Sequence, residues 1–247
     1  MEKEIHLFWE SITDYNKQIA SVFNIDKNIL IQYLDSIKNK DKKIIADIGC
    51  GPGNSFKHLK EFKKVYAFDF SKKLLEIANE KKPKNIEIFK ENILKYKLPE
   101  KVDISLAVMS IFPNNYSELD EIVLNILNNT KKKGEIILVL HSFESRTFSF
   151  HLDSDFYFKK SLNSQEILTQ INNQVQFSNY HPFGYLKINS GIIQKYWLKE
   201  EIEFRLSKYN FKHIKIEKLE LDWEKQLNLK EYKNYPKLWF WFVKIKR

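Results

Sequence analysis

The chain of 247 residues is poor in the residues that make unusual architectures. It has one cysteine, Cys50, so an internal disulfide and a cysteine-built zinc site are both excluded. Six glycines and six prolines, scattered along the chain, exclude a collagen-like or low-complexity filament and a long flexible linker. No apolar run approaches the roughly 18 residues that a membrane-spanning helix needs. The first residues, MEKEIHLFWESITDYN, are acidic and mixed, unlike a signal or transit peptide. Arginine is the scarcest of the charged residues: 38 of the 41 basic residues are lysines, leaving only Arg146, Arg205 and Arg247.

That scarcity bears on the formal net charge of +9. Proteins that read nucleic acid lean on the planar fork of arginine, which grips phosphates and guanine edges at two points. Here the lysines are dispersed and mixed with 32 acids, a pattern of solvated surface, and it speaks against a nucleic-acid partner. What the chain has in quantity is core material, 43% hydrophobic and 15% aromatic residues, which argues against disorder. At roughly 150 residues per domain, the length allows one or two domains. A soluble, cytoplasmic, globular chain is the expectation.

Periodicity divides the chain. Phe8, Ile12, Tyr15, Ile19 and Phe23 form a helical stripe, and NILIQYLDSIK forms a second. From residue 43, short apolar runs (KKIIADIG, VYAFDF, NIEIFKENI, VDISLAVMSIF, GEIILVLHSF) alternate with helical segments (NSFKHLKEF, KKLLEIANEKK, YSELDEIVLNILNNT), with Gly134 read as a stop for the last helix. Such alternation means a parallel sheet with right-handed crossovers and helices on both faces. After residue 145 the pattern changes. SRTFSFHLDSDFYFKK reads as aromatic and irregular, NSQEILTQINNQV as helical, and FGYLKI and IIQKYW as a hairpin turning at Asn189–Ser190–Gly191. The helix LKEEIEFRLSKYN and the strands KHIKIEKLEL and KLWFWFVKIK complete the chain, with Trp239 and Trp241 read as core. One domain over 1–247 is expected: a helical cap (1–40), a core (41–145), an insertion (145–196), and a C-terminal helix with two strands (197–247).

The chemistry-bearing segment is IIADIGCGPGNSF. Asp47 ends a strand, and Gly49, Gly51 and Gly53 follow at alternate positions before a helix. Glycines are needed where the backbone turns sharply and approaches a ligand. Open α/β sheets bind ligands beyond the carboxyl ends of their strands, where this loop lies. Asp69 ends the next strand twenty residues after Gly49, placed to accept hydrogen bonds from a ribose diol. The GxGxxG dinucleotide fingerprint and the GxxxxGK[ST] phosphate cradle are both absent.

The segments ADIGCGPG (46–53), FDFS (68–71), KENILKYKLP (90–99) and VDISLAVMSIF (102–112), in that order, resemble the class I S-adenosylmethionine-dependent methyltransferases. The resemblance implies a Rossmann-like, seven-stranded, mostly parallel sheet with a reversed last strand, N-terminal cap helices and an insertion after the fifth strand. It implies S-adenosylmethionine as cofactor. Gly49 and Gly51 would pass beneath its methionine moiety, and Asp47 would support the loop and the ammonium. Asp69 would hold the ribose hydroxyls. Asn92, where family members often carry Asp, would face the adenine amine together with the Ile93 backbone. Cys50 and Phe70 lie within the same two motifs, Met109 and Ser110 would line the cofactor's edge, and Tyr15 would cover the sulfonium or the carboxylate end from the cap helix. The NPPY signature of amino methylation is replaced by MSIFPN, which argues against a DNA adenine or release-factor methyltransferase.

Methyl transfer from a sulfonium is a direct displacement that needs alignment and dryness more than a catalytic motif. His141, at the carboxyl end of the fifth strand with Glu144 nearby, is the candidate base if the acceptor must lose a proton. His151 and His181 fall in the insertion. Without HxxxH or HExxH, no metal site is expected. The aromatic insertion, with Trp197 at the pocket mouth, suits a small-molecule acceptor. The alternatives are an RNA or protein methyltransferase, motivated by the basic charge, and a non-catalytic cofactor-binding module.

Overall fold

The computed structural model describes residues 22–247 except 26–27, 114, 182–183, 189–192, 210, 212, 225–226 and 228. Tyr15, the first helical stripe up to residue 21 and the Asn189–Gly191 turn lie outside the described residues.

The main sheet has seven strands: β1 (Ile44–Ile48), β2 (Lys64–Asp69), β3 (Ile86–Lys90), β4 (Val102–Val108), β5 (Thr130–His141), β9 (His213–Glu220) and β10 (Trp239–Lys246). Their order is β3-β2-β1-β4-β5-β10-β9. The first five pair in parallel, and β10 runs antiparallel between β5 and β9. This is the expected sheet with its reversed last strand. Every residue of β1 is buried, as a central parallel strand requires.

Helices cover both faces. On one, α1 (Ile29–Ser36), α2 (Phe56–Leu59) and α3 (Lys72–Lys81) place Leu30, Leu34, Leu59 and Ala78 against Ile45, Val65 and Ile104. On the other, α4 (Tyr116–Asn129) and α7 (Lys199–Ser207) place Leu119, Ile122, Ile202 and Leu206 against Ile44, Ala46 and Ile136. Each wholly buried leucine of this set contributes roughly 1.5–3 kcal/mol relative to exposure. Local caps fix where these helices begin. Asn28 accepts from Ile31 N–H, Ser71 from Leu74 N–H and Asn115 from Glu118 N–H.

Three readings of the sequence are corrected. Gly134 does not stop a helix: α4 ends at Asn129, and Gly134 lies inside β5, which begins at Thr130. Thr130 closes the helix through its hydroxyl and N–H to the Ile126 carbonyl, and a register shift between Val102 and Ile104 absorbs the lysine-rich start of the strand. SRTFSFHLDSDFYFKK is not irregular. It forms the 17-residue helix α5 (Phe143–Lys159), capped by Ser142, whose hydroxyl accepts from Ser145 N–H at 3.0 Å. Trp197 is not at a pocket mouth. It is 4% exposed and packs in the core beneath α7. Trp241 is buried and Trp239 half-buried beside it.

After α5 come α6 (Ser164–Gln174) and a separate three-stranded antiparallel sheet of β6 (Val175–His181), β7 (Tyr185–Ile188) and β8 (Ile193–Lys195). β7 and β8 are the expected hairpin, and β6 is a strand in a segment read as loop. Among the described residues, no helix is long and apolar enough to cross a membrane.

Candidate active site

The register of the parallel strands puts their carboxyl ends side by side. Ile48 lies opposite Phe68 on one side and Ala107 on the other, while Val108 lies opposite Val139. The loops leaving these ends are stitched together by their own backbones. Gly49 and Cys50 both donate N–H to the Phe68 carbonyl, at 2.8 and 2.9 Å. Gly51 N–H donates to Asp69 Oδ2 at 3.0 Å, and Ser71 N–H donates to Asp69 Oδ1 at 2.9 Å. Each Asp69 oxygen therefore holds one loop. Glu91 N–H donates to the Asp69 carbonyl at 3.1 Å and draws in the loop after β3.

Gly49 is glycine for two reasons. Its φ is +69°, and an added Cβ would stand 2.3 Å from Ser110 Cβ. Ser110 is itself fixed, its hydroxyl donating to the Ile48 carbonyl at 2.6 Å. Met109, just before it, adopts the left-handed region at φ 56°. A non-glycine residue there is strained, and the Met109 N–H···Val139 O bond at 2.9 Å helps impose it. The β4 turn is thus forced against the glycine loop.

Asp47 is 2% exposed, and its carboxylate accepts a short hydrogen bond from Ser55 Oγ. Burial raises its pKa from 3.8 to about 7; the Ser55 bond opposes this and the Asp69 charge adds to it. Among the described residues no lysine or arginine is within ion-pair reach of Asp47. Cys50 is buried beside it, and burial pushes its thiol well up, with Asp47 and Asp69 adding. Its Sγ contacts the Gly51 carbonyl at 3.6 Å, so it fills space as an unreactive small side chain. Phe70 is half-buried at the end of β2.

Asn92 is exposed, and its Oδ1 accepts from Leu94 N–H at 2.9 Å. Its carbonyl accepts from Lys95 and Tyr96 N–H. The side chain therefore shapes the loop and retains one lone pair and its amide donors for a neighbour. Ile93 packs half-buried against the core, and its carbonyl accepts from Asn125.

His141, at the end of β5, stands among aromatic rings: Tyr196 at 5.1 Å, Phe240 edge-on at 5.5 Å and Phe112 at 6.0 Å between centroids. Burial pulls its pKa from 6.5 to about 3, and the Arg146 charge adds to this. The imidazole is neutral at ordinary pH and a poor proton acceptor. Glu144 does not face this site. Its Oε2 accepts from Ser142 Oγ at 2.9 Å and Trp241 Nε1 at 3.2 Å, and its Oε1 accepts from Lys199 N–H at 2.9 Å. It ties the start of α5 to β10 and to the start of α7. Sequence reading missed Ser55, Arg146 and Tyr196. For Arg146 the signal was its rarity, one of three arginines, five residues beyond His141.

A groove lined by Tyr33, Lys215, Phe242 and Lys244 lies between α1 and the β9–β10 pair, at the amino ends of the parallel strands and away from this site.

The cofactor that the glycine loop implies fits the donor set. Asp47, desolvated and short of a cation, suits an ammonium or sulfonium, and Asp69 suits a vicinal diol. Residues 45–134 match the family model of a methyltransferase domain. A search of curated proteins finds no match. Among solved structures, the DhpI–SAM–HEP complex is similar over 100% of this chain and 97% of its own, at 12% identity and a TM-score of 0.64. Magnesium protoporphyrin IX methyltransferase from Synechocystis with bound SAM is similar over 100% and 96%, at 10% identity and a TM-score of 0.60. A SAM-dependent methyltransferase from Anabaena variabilis is similar over 99% and 94%, at 16% identity and a TM-score of 0.62. At these identities the structural likeness is one of fold, while the domain match covers the loop and strands just described. Residues 45–134 thus match a methyltransferase domain within a Rossmann-like fold that spans the chain, and the donor set of the loop suits S-adenosylmethionine.

Proposed function

We propose that the chain methylates a small-molecule acceptor held between the carboxyl ends of β4 and β5 and the aromatic base of the 145–196 insertion. The observation that carries this reading is the aromatic cluster at His141, where Phe112, Tyr196 and Phe240 surround the imidazole and Phe143 and Phe150 pack against Leu186 and Tyr196. As the wall of a site, such a cluster suits a flat or apolar molecule and keeps water out. The basic charge supports no polymer groove. Lysine–acid pairs are spread over α3, α5, α7, β2, β5, β9 and β10, as in Lys72–Glu76, Lys159–Asp155, Lys64–Glu87 and Lys215–Glu217.

Bound S-adenosylmethionine supplies a methyl group on a sulfonium, whose sulfur departs as a neutral thioether. The chain's part is placement. In this reading the Gly49–Gly51 backbone and Asp47 seat the methionine end, Asp69 takes the ribose hydroxyls, and Asn92 and Ile93 border the adenine. Met109 lines the cofactor's edge, beside Cys50 and Phe70, and Tyr15 belongs to the expected cap. His141 acts as a neutral hydrogen-bonding wall residue. An acceptor that must lose a proton would lose it to water or before binding, because a group titrating near 3 is too weak a base at neutral pH.

The test pairs calorimetry with turnover. S-adenosylmethionine and S-adenosylhomocysteine should bind at micromolar levels and NAD should not. Methyl transfer from labelled cofactor should then reach a small-molecule panel and not bulk RNA. Salt-sensitive labelling of RNA would replace this reading with the polymer one. Absence of cofactor binding would leave a non-catalytic module.

A further inference from the structure

Arg247 donates to the Leu127 and Thr130 carbonyls. Arg205 lies 3.5 Å over the ring of Tyr116, and its Nε, like that of Arg146, is buried without a partner among the described residues. Arg146 differs in its place, five residues beyond His141 at the end of β5. It stands in the first turn of α5 with its guanidinium 4.7 Å over the ring of Phe150. Its Nε is buried and donates to nothing. Among the described residues no carboxylate pairs with it. A buried guanidinium donor without an acceptor is costly, and native structures keep few of them without a use.

Its surroundings are the aromatic wall. Phe150 and Phe143 pack on Tyr196, and Tyr196 lies 5.1 Å from His141. Arg146, stacked on Phe150, is thereby joined through Tyr196 to His141. The helix start adds partial positive charge of the same sign. The one acid of this turn, Glu144, is committed elsewhere by three hydrogen bonds. Among the described residues, this aromatic cluster thus holds a guanidinium whose buried Nε has no acceptor.

We propose that Arg146 receives an oxyanion group of the methyl acceptor, a carboxylate or a phosphonate, while the aromatic wall holds its apolar part. The inference rests on the small-molecule reading above. The planar fork of arginine meets two oxygens of such a group at once, and a ring-stacked guanidinium is already oriented for it. The remaining apolar contact then selects an aryl or similarly flat acid over a fully polar one.

The experiment titrates the full chain, saturated with S-adenosylhomocysteine, with benzoate, phenylphosphonate and the neutral benzamide. At least one anion should bind tenfold or more tightly than benzamide, and the better anion identifies the oxyanion class. Arg146→Met keeps the packing on Phe150 and should erase that preference without changing S-adenosylhomocysteine affinity. Arg146→Lys should retain part of it. Anions that bind no more tightly than benzamide, or a preference that survives in Arg146→Met, overturn the proposal while S-adenosylhomocysteine binding leaves the methyltransferase reading standing. A parent chain that fails to bind S-adenosylhomocysteine overturns that reading, and this proposal with it.

Discussion

Replacing Asp47 by asparagine removes one charge from the most tightly constrained point of the loop and keeps the shape. The carboxyl group is 2% exposed, and burial holds its pKa near 7 against 3.8 in an unfolded chain. A raised folded pKa means that the unfolded state gives up the proton first. The group's contribution is intact below pH 3.8 and is lost as pH rises through about 7. At 1.36 kcal/mol per unit, the roughly three-unit gap makes ionised Asp47 cost the cofactor-free fold about 4 kcal/mol above pH 7. Asp47→Asn should therefore be the more stable protein at pH 8, by about 3–4 kcal/mol. That is several degrees of melting temperature for a chain of this length, at roughly 2–4 °C per kcal/mol. The two proteins should converge towards pH 4. The cofactor's cationic end reverses the sign: in its presence the charge is what binds. At pH 8 the variant should bind S-adenosylmethionine at least tenfold more weakly, and at pH 5.5, where Asp47 is itself protonated, the difference should shrink to little. Urea melts at both pH values with calorimetry on the same samples read all four quantities. A variant that is no more stable at pH 8, or that keeps parental affinity there, would refute the placement of a destabilising carboxylate under the cofactor's cationic end.

Gly49→Ala adds a Cβ 2.3 Å from Ser110 at a φ of +69°, so cofactor affinity should fall by more than tenfold in calorimetry. A parental value would mean the loop can move away from β4. Asp69→Ala should also lower affinity by more than tenfold while circular dichroism shows the fold intact; unchanged affinity would remove the ribose from this residue. His141→Gln should leave the shape of the pH–rate profile between pH 5 and 8 unaltered, because the imidazole titrates near 3. If the parent's acid limb near 6.5 vanished in the variant, His141 would be the base after all. Lys195→Met strands Glu201, whose 2.6 Å partner it is, and should cost about 3–5 kcal/mol in denaturant. The double variant Lys195→Met/Glu201→Leu should regain most of that, and failure to do so would assign the loss to packing.

The glycine-loop half of the candidate site was legible as local structure because its determinants are local. A glycine that must adopt positive φ, an acid at a strand end and the alternation of strand and helix each leave their mark within a few residues. The partners of those residues were not legible. That Ser55 donates to Asp47 and that Ser110 closes on Gly49 follow from how the chain returns in space, and nothing in either segment marks those contacts. The same holds for Trp197. Beside a helix start it read as a rim residue, yet its carbonyl accepts from Phe143 N–H and Trp241 Nε1, and its ring is buried under α7.

Helix α5 shows why the acceptor half stayed hidden. Its buried face is Ser145, Ser149 and Leu152, and its aromatic residues are distributed all round, with Phe158 71% exposed. Hydrophobic periodicity looks for the reverse, an apolar stripe facing inward, and pairs such as Phe148–Phe150 and Phe156–Phe158 imitate the alternation of a strand. The serines can face inward because their polar groups are satisfied within or beside the helix. Ser149 and Ser154 donate back to the carbonyls of Arg146 and Phe150, and Ser145 accepts from Trp239 N–H at 2.8 Å. Small inward residues let the helix start sit close on β10, which brings Arg146, Phe150 and Phe143 over the end of β5. The arrangement that defeats the sequence pattern is therefore the one that brings Phe143 and Phe150 of α5 against Leu186 and Tyr196, at the back of the proposed acceptor wall.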